Sequence, residues 1–228
     1  MADRTLTNIG LYSVPEASAL TGQNAPSFHR WLKGYRRKEG NTSRQVRSVL
    51  NAELGEVDGK TALTFLDLME IRMIAAFGQH GVSWQAIRAA SALACDMFGD
   101  SHPFSMQRFK TDGKTIFAEL FNDGTLETLD LNKKNFVFSE VVEPSLFASL
   151  EFEDGQAARW FPKNLQKKVV LDPKRSFGHP VLSQEGIPTA ILAKAALVEG
   201  SVKSVASWYE IPVGSVKAAV EFEQRLAA

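Results

Sequence analysis

Residues 12–34, YSVPEASALTGQNAPSFHRWLKG, are punctuated so closely that they leave room for little besides two short helices joined by a turn. Ser13 can cap the first helix, and Glu16, three residues on, can close the reciprocal half of a capping box. Gly22 ends that helix after about two turns, with Val14, Ala17, Ala19 and Leu20 available for one apolar face. Pro26 suits the first position of the next helix, where its missing amide hydrogen costs nothing. Phe28, Trp31 and Leu32 stand three and four residues apart, so they share a face and can pack on the first helix. The outward face then carries Ser27, His29, Arg30 and Lys33. A short helix, a tight turn and a second helix with polar and basic residues match a recognition helix entering the major groove. Arg30 is the first choice for a base contact, because a guanidinium reads guanine bidentately. His29 is equally well read as a surface histidine or a phosphate contact.

The next segment adds charge. Arg36, Arg37, Lys38, Arg44 and Arg47 all fall within fourteen residues of Lys33 and are interrupted by Gly40 and Asn41, which reads as a basic hairpin or wing. Residues 1–50 hold eight Lys or Arg against three Asp or Glu, a net of +5 in a chain whose formal net charge is zero. Phosphate-neutralising capacity is thus concentrated at one end. An ordinary solvated basic surface is the alternative reading of such a run. On the DNA reading, the contacting set is Ser27, His29, Arg30, Lys33, Arg36, Arg37, Lys38 and Arg44.

At 228 residues, 44% hydrophobic and 23% charged, the remainder has the composition of a globular protein of one large or two to three small domains. No leading signal segment and no apolar run of membrane-spanning length is visible, which predicts a cytoplasmic protein. Cys95 stands alone, so neither an intramolecular disulfide nor a cysteine metal cluster is expected.

The pattern divides the chain at about 1–100, 101–168 and 169–228. Residues 63–79 and 83–98 read as two antiparallel helices, started by Thr64 with Asp67 and by Ser83; they complete the first domain or make a dimer contact. From His102 the period becomes that of strands. Residues 108–117 and 119–131 each read as a hairpin around Asp-Gly, and residues 135–142 and 158–170 add strands, giving a small central antiparallel sheet. The tail returns to helix at 189–199, 201–209 and 214–225, again with a helix-turn-helix outline. There the candidate recognition helix carries only Lys217 as a basic residue ahead of Glu221 and Glu223, so a protein contact suits this second module better than DNA. The predicted fold class is α+β: an N-terminal winged helix-turn-helix with a helical hairpin, a central sheet, and a C-terminal three-helix domain.

Two resemblances follow from these residues. YSVPEASALTG, followed by Trp31 and Gly34, resembles the MerR-type winged helix-turn-helix. The tail, with Leu171–Pro173, Gly178–Val181, Ile187–Pro188, Glu199–Gly200 and Ala218–Glu223, resembles a small antitoxin-associated domain of unknown function. Together the ends are similar to VapB-like antitoxins of type II toxin-antitoxin pairs, a resemblance that leaves the central sheet uncovered. It implies a homodimer that binds double-stranded operator DNA, represses its own transcription and neutralises a PIN-like toxin ribonuclease by direct binding. Two departures stand out. The tail family's Gly-Thr-Arg triplet is replaced by Gln184, Glu185 and Gly186, and Ala25 replaces the serine that normally precedes Pro26, weakening the helix cap by about 1 kcal/mol unless Asn24 compensates.

Enzymatic chemistry is not expected. His29, His80, His102 and His179 fall in four separate segments without ligand spacing, Asp123, Glu127 and Asp130 surround a predicted hairpin, and Asp172 precedes Pro173 as a turn former. Neither cofactor nor metal is expected. The alternative to an antitoxin is a stand-alone MerR-type transcription regulator without a toxin partner.

Overall fold

The computed structural model describes residues 8–40, 42–110, 147–162 and 167–227. The fold is α+β, with a helix-turn-helix near the N-terminus and several small antiparallel sheets. The hairpins expected at 108–117 and 119–131 and the strand at 135–142 lie outside the described residues, except for 108–110, which form a helical turn rather than a strand. Packing decides this: the Phe109 ring is fully buried, 4.7 Å from the Phe104 ring and 6.2 Å from that of Phe77. The chain forms two compact units, one of residues 12–148 and 152–157 and the other of residues 1–11, 149–151 and 158–228.

The first unit begins with β1 (Tyr12–Ser13), α1 (Val14–Thr21) and α2 (Ala25–Lys33). The Ser13 amide donates to the Glu16 carboxylate at 2.7 Å and the Ser13 hydroxyl receives the Glu16 amide, so the capping box is complete; Gly22 closes α1 in the left-handed conformation. Of the expected apolar face, Val14 and Ala17 are buried, Leu20 is half-buried and Ala19 is exposed. Next come β2 (Tyr35–Glu39) and β3 (Thr42–Val46), paired from Tyr35↔Val46 to Glu39↔Thr42, then β4 (Glu56–Val57) and β5 (Lys60–Leu63). β5 lies between β1 and β4, both antiparallel to it. The β4–β5 turn is Asp58-Gly59, both at positive φ, a hairpin signal that the sequence reading passed over.

α3 (Phe65–Gln79) is the core of this unit, starting from a Thr64–Asp67 capping box, and α4 (Trp84–Phe98) follows from Ser83 as N-cap. α3 buries residues on all of its sides, from Phe65 to Phe77, which is how a helix apolar around its whole circumference behaves. Gly78 is small for a reason: a Cβ there would stand 3.1 Å from the Trp84 ring.

A second Asp-Gly turn, Asp154 and Gly155 with both φ positive, joins β6 (Leu150–Glu153) to β7 (Gln156–Trp160). In the other unit, β8 (Val169–Val170) pairs with β9 (Val181–Leu182), and Phe161, Val170 and Val181 form a buried cluster. Asp172 shapes the turn between these strands, accepting the Lys174 amide at 2.9 Å and the Arg159 guanidinium at 3.2 Å. Three helices complete the unit: α5 (Thr189–Glu199), α6 (Val202–Trp208) and α7 (Val213–Ala227), within two residues of the predicted bounds. Leu192, Val205, Val216, Ala219 and Phe222 are buried among them. Beside the Gln184–Gly186 turn, Arg175 donates to the carbonyls of Ser183 at 3.0 Å and Leu182 at 3.3 Å; a Cβ on Gly186 would come within 3.0 Å of that guanidinium.

Candidate nucleic-acid interface

The reading helix α2 is anchored by its own apolar residues. Phe28 is fully buried and Trp31 nearly so, their rings 5.8 Å apart, and Trp31 is 5.6 Å from Trp84 of α4. His29, Arg30 and Lys33 project on the exposed side, and Ser27 is half-buried. The cap differs from expectation. Ala25 is the first helical residue rather than the cap, Pro26 is the second, and Asn24 is the N-cap, its side-chain oxygen receiving the Ser27 amide at 2.9 Å. An asparagine is as good a cap as a serine, so the helix start loses nothing to Ala25.

Gly34 turns the chain from helix into wing. It sits at φ 69°, and a Cβ built there would lie 2.3 Å from the Val46 carbonyl oxygen, so only glycine permits the close passage of β3 over the helix end. Past β3 the chain folds back, the amides of Val49 and Leu50 donating to the Trp31 carbonyl at 2.8 and 3.2 Å. Arg88 of α4 fixes the same corner, reaching the Arg47 carbonyl at 3.0 Å and the Trp84 carbonyl at 3.1 Å. Sequence reading missed Arg88, whose partner is 41 positions away.

Along the wing, register sorts the cations. Side chains alternate across a strand, so Arg36 and Lys38 share one face of β2, opposite Gln45 and Ser43, while Arg44 lies in β3 across from the Arg37 backbone. Arg36, Lys38, Arg44 and Arg47 are exposed. One face of the wing therefore carries two cations at successive same-side positions about 7 Å apart, close to the phosphate spacing along a strand.

Lys33 is not the free cation that the sequence suggested. Its ammonium is 2.8 Å from the Glu56 carboxylate on β4, with both side chains about half exposed. The Lys33 hydrogen bond and charge hold the Glu56 carboxyl below its usual range.

Behind this surface is a buried polar network. Asp67 accepts the Thr64 amide at 2.9 Å and the Glu53 amide at 3.2 Å, and lies 2.8 Å from His102 Nε2. Glu70 accepts the amides of Phe104 and Ser105 at 3.1 and 2.9 Å. Burial pushes the Glu70 carboxyl up to about 8, against the opposing pull of His102 and the two amides. Burial alone would discharge His102, but its bond to Asp67 and the neighbouring carboxylates raise it above the ordinary histidine value. The network ties the start of α3 to the chain after the wing and to the turn at 103–105. His102 thus has a structural partner, and His80 Nδ1 lies 2.8 Å from the Ala76 carbonyl at the end of α3. Among the described residues, no group of three or more His, Cys, Asp or Glu is gathered as a metal site requires.

The tail helices expose charges of both signs. Lys217 is exposed on α7, Glu221 pairs with Arg225 at 3.2 Å, and Glu223 accepts the Thr189 hydroxyl. No helix among the described residues is long and apolar enough to cross a membrane.

Comparison with known proteins first gives the class of the front module: residues 10–91, from just before β1 through most of α4, match a family described as "Putative DNA-binding HTH domain". The whole chain also has an antitoxin-like homologue. Over 226 residues it is 26% identical to a protein of Mycobacterium tuberculosis named "Putative antitoxin VapB45", covering 94% of each chain. The X-ray crystal structure of Rv2018 from Mycobacterium tuberculosis shares the fold, with a TM-score of 0.72 at 21% identity over 94% of this chain and 98% of that one.

Proposed function

We propose that the chain is an antitoxin: a dimer that binds operator DNA through α2 and the wing, represses its own transcription, and neutralises a PIN-like ribonuclease by direct binding. The observation that carries the DNA half is the exposed row of His29, Arg30 and Lys33 on a helix whose other side is anchored by Phe28 and Trp31, next to a wing with further exposed cations. One such helix reads a half-site, and palindromic operators call for two. Within the reading set, Arg30 reads a base. Lys33, Arg36, Arg37, Lys38 and Arg44 neutralise phosphates, with Ser27 and His29 as polar contacts. The toxin half is supported by the whole-length similarity to an antitoxin-named relative and by large apolar side chains exposed on the tail unit, among them Leu197, Val198 and Trp208. Neither half needs catalysis by this chain.

The test is co-expression with the nuclease encoded beside it. Relief of growth arrest and recovery of a stable complex are expected. Failure to bind that neighbour, with toxicity unrelieved, overturns the antitoxin reading and leaves a stand-alone MerR-type regulator.

A further inference from the structure

In α5, Thr189, Lys194 and Glu199 are the only residues that are not alanine, leucine, isoleucine or valine. A helix apolar on nearly every side belongs inside a structure, yet this one leaves Leu197 83% exposed, Val198 81% and Ile191 49%. Beside Leu197 lies an open groove of about 510 Å³ between α5 and α7. Ala193, Leu197 and Gly200 form one wall and Val220, Gln224 and Ala227 the other, each set at spacings of four and three residues. That spacing is the seam of a helix bundle, with small residues as holes and Leu197 as a knob.

We propose that this groove is the interface through which two copies of the chain pair, α5 and α7 of each forming a four-helix bundle around a two-fold axis. Three features select a second copy as occupant. The surface holds both the knobs and the holes that fit them, which is what an isologous contact requires of one patch. The occupant must be a helix with protruding aliphatic side chains, and α5 is one. The rims carry opposite charges, Lys194 on one helix and Glu223 on the other, so a two-fold axis through the groove sets each copy's lysine rim against the other's glutamate rim. The proposal rests on the dimer of the functional reading, but its primary readout, the mass of the chain in solution, needs neither DNA nor nuclease.

The experiment measures the mass of the full-length chain by light scattering and its dimer dissociation constant by sedimentation. A wild-type dimer is expected, with Leu197→Lys raising the dissociation constant at least tenfold at unchanged helical circular dichroism. Lys194→Glu, a change on an exposed side chain, should weaken pairing in the same direction and keeps the test alive if Leu197→Lys does not fold. A monomeric wild type, or a dimer indifferent to both substitutions, overturns the proposal. So does a monomer whose nuclease binding is lost in Leu197→Lys, since the groove would then belong to the nuclease. A monomer that still binds its operator would sink this interface without touching the DNA reading.

Discussion

Lys33 of α2 and Glu56 of β4 are joined by a 2.8 Å ion pair across 23 positions of sequence, so a carboxylate sits within the cationic surface that would meet DNA. Phosphate must displace that carboxylate before Lys33 can contribute to binding. Glu56→Gln is therefore predicted to raise affinity for any duplex and to steepen the log–log salt dependence by about one phosphate contact, roughly 0.9 in slope. Salt titrations of the variant with specific and scrambled duplexes check this. An unchanged slope would mean that Lys33 does not face phosphate.

Gly34→Ala should uncouple wing from helix. The position requires φ 69° and has a carbonyl oxygen 2.3 Å from where the new carbon would be, so the variant is expected to lose at least about 1 kcal/mol of stability. It should also bind all DNA more weakly, as Arg36 and Lys38 lose their placement. Chemical denaturation and anisotropy read the two effects, and wild-type values in both would contradict the junction described.

Asn24→Ala removes the side chain that caps α2 and is predicted to cost about 1 kcal/mol. Ala25→Ser should change little, because residue 25 is already helical. If the effects were reversed, the cap would lie one residue later.

The Asp67–His102–Glu70 network gives stability a pH dependence of definite sign. The folded-state values of Glu70, about 8, and of His102 both lie above their ordinary values, so the folded chain holds protons that the unfolded chain has released. The Glu70 contribution is complete below its ordinary value near 4.5 and fades up to about 8; that of His102 is complete below about 6.5 and fades as pH rises through its folded value. Stability should fall with rising pH across this window, by up to about 1.4 kcal/mol per unit for each proton. Denaturant titrations between pH about 6 and about 8.5 measure the slope, and Glu70→Gln should flatten it. A slope that Glu70→Gln leaves unchanged would mean that the carboxylate is already ionised in the folded protein.

What could be read from the sequence was mostly what a few neighbouring residues decide. The capping boxes of Ser13 with Glu16 and Thr64 with Asp67, the caps at Ser83 and Ser201, and the stops at Gly22 and Gly200 depend on backbone groups within a turn of the residue that satisfies them, so type and spacing suffice. The Asp58-Gly59 hairpin was equally local but was passed over, because the strands it joins are only two and four residues long and show no alternation. Lys33–Glu56, Arg88–Arg47 and Asp67–His102 pair residues 23, 41 and 35 positions apart, and no local pattern encodes such distances. The candidate face was therefore legible as a list of cations. Which of them is already occupied, and which share one face of the wing, depended on tertiary packing and strand register.

The most direct test of the central claim is an anisotropy titration of the full-length chain with the duplex upstream of its own gene and with a scrambled duplex, between about 50 and about 200 mM salt. Tighter binding to the native duplex is predicted, with affinity falling steeply in salt for both, and Arg30→Ala should erase most of the preference, roughly 1 to 3 kcal/mol, while leaving the slope nearly intact. Equal binding to the two duplexes, or a preference that survives in Arg30→Ala, would contradict the account of α2 as the reader.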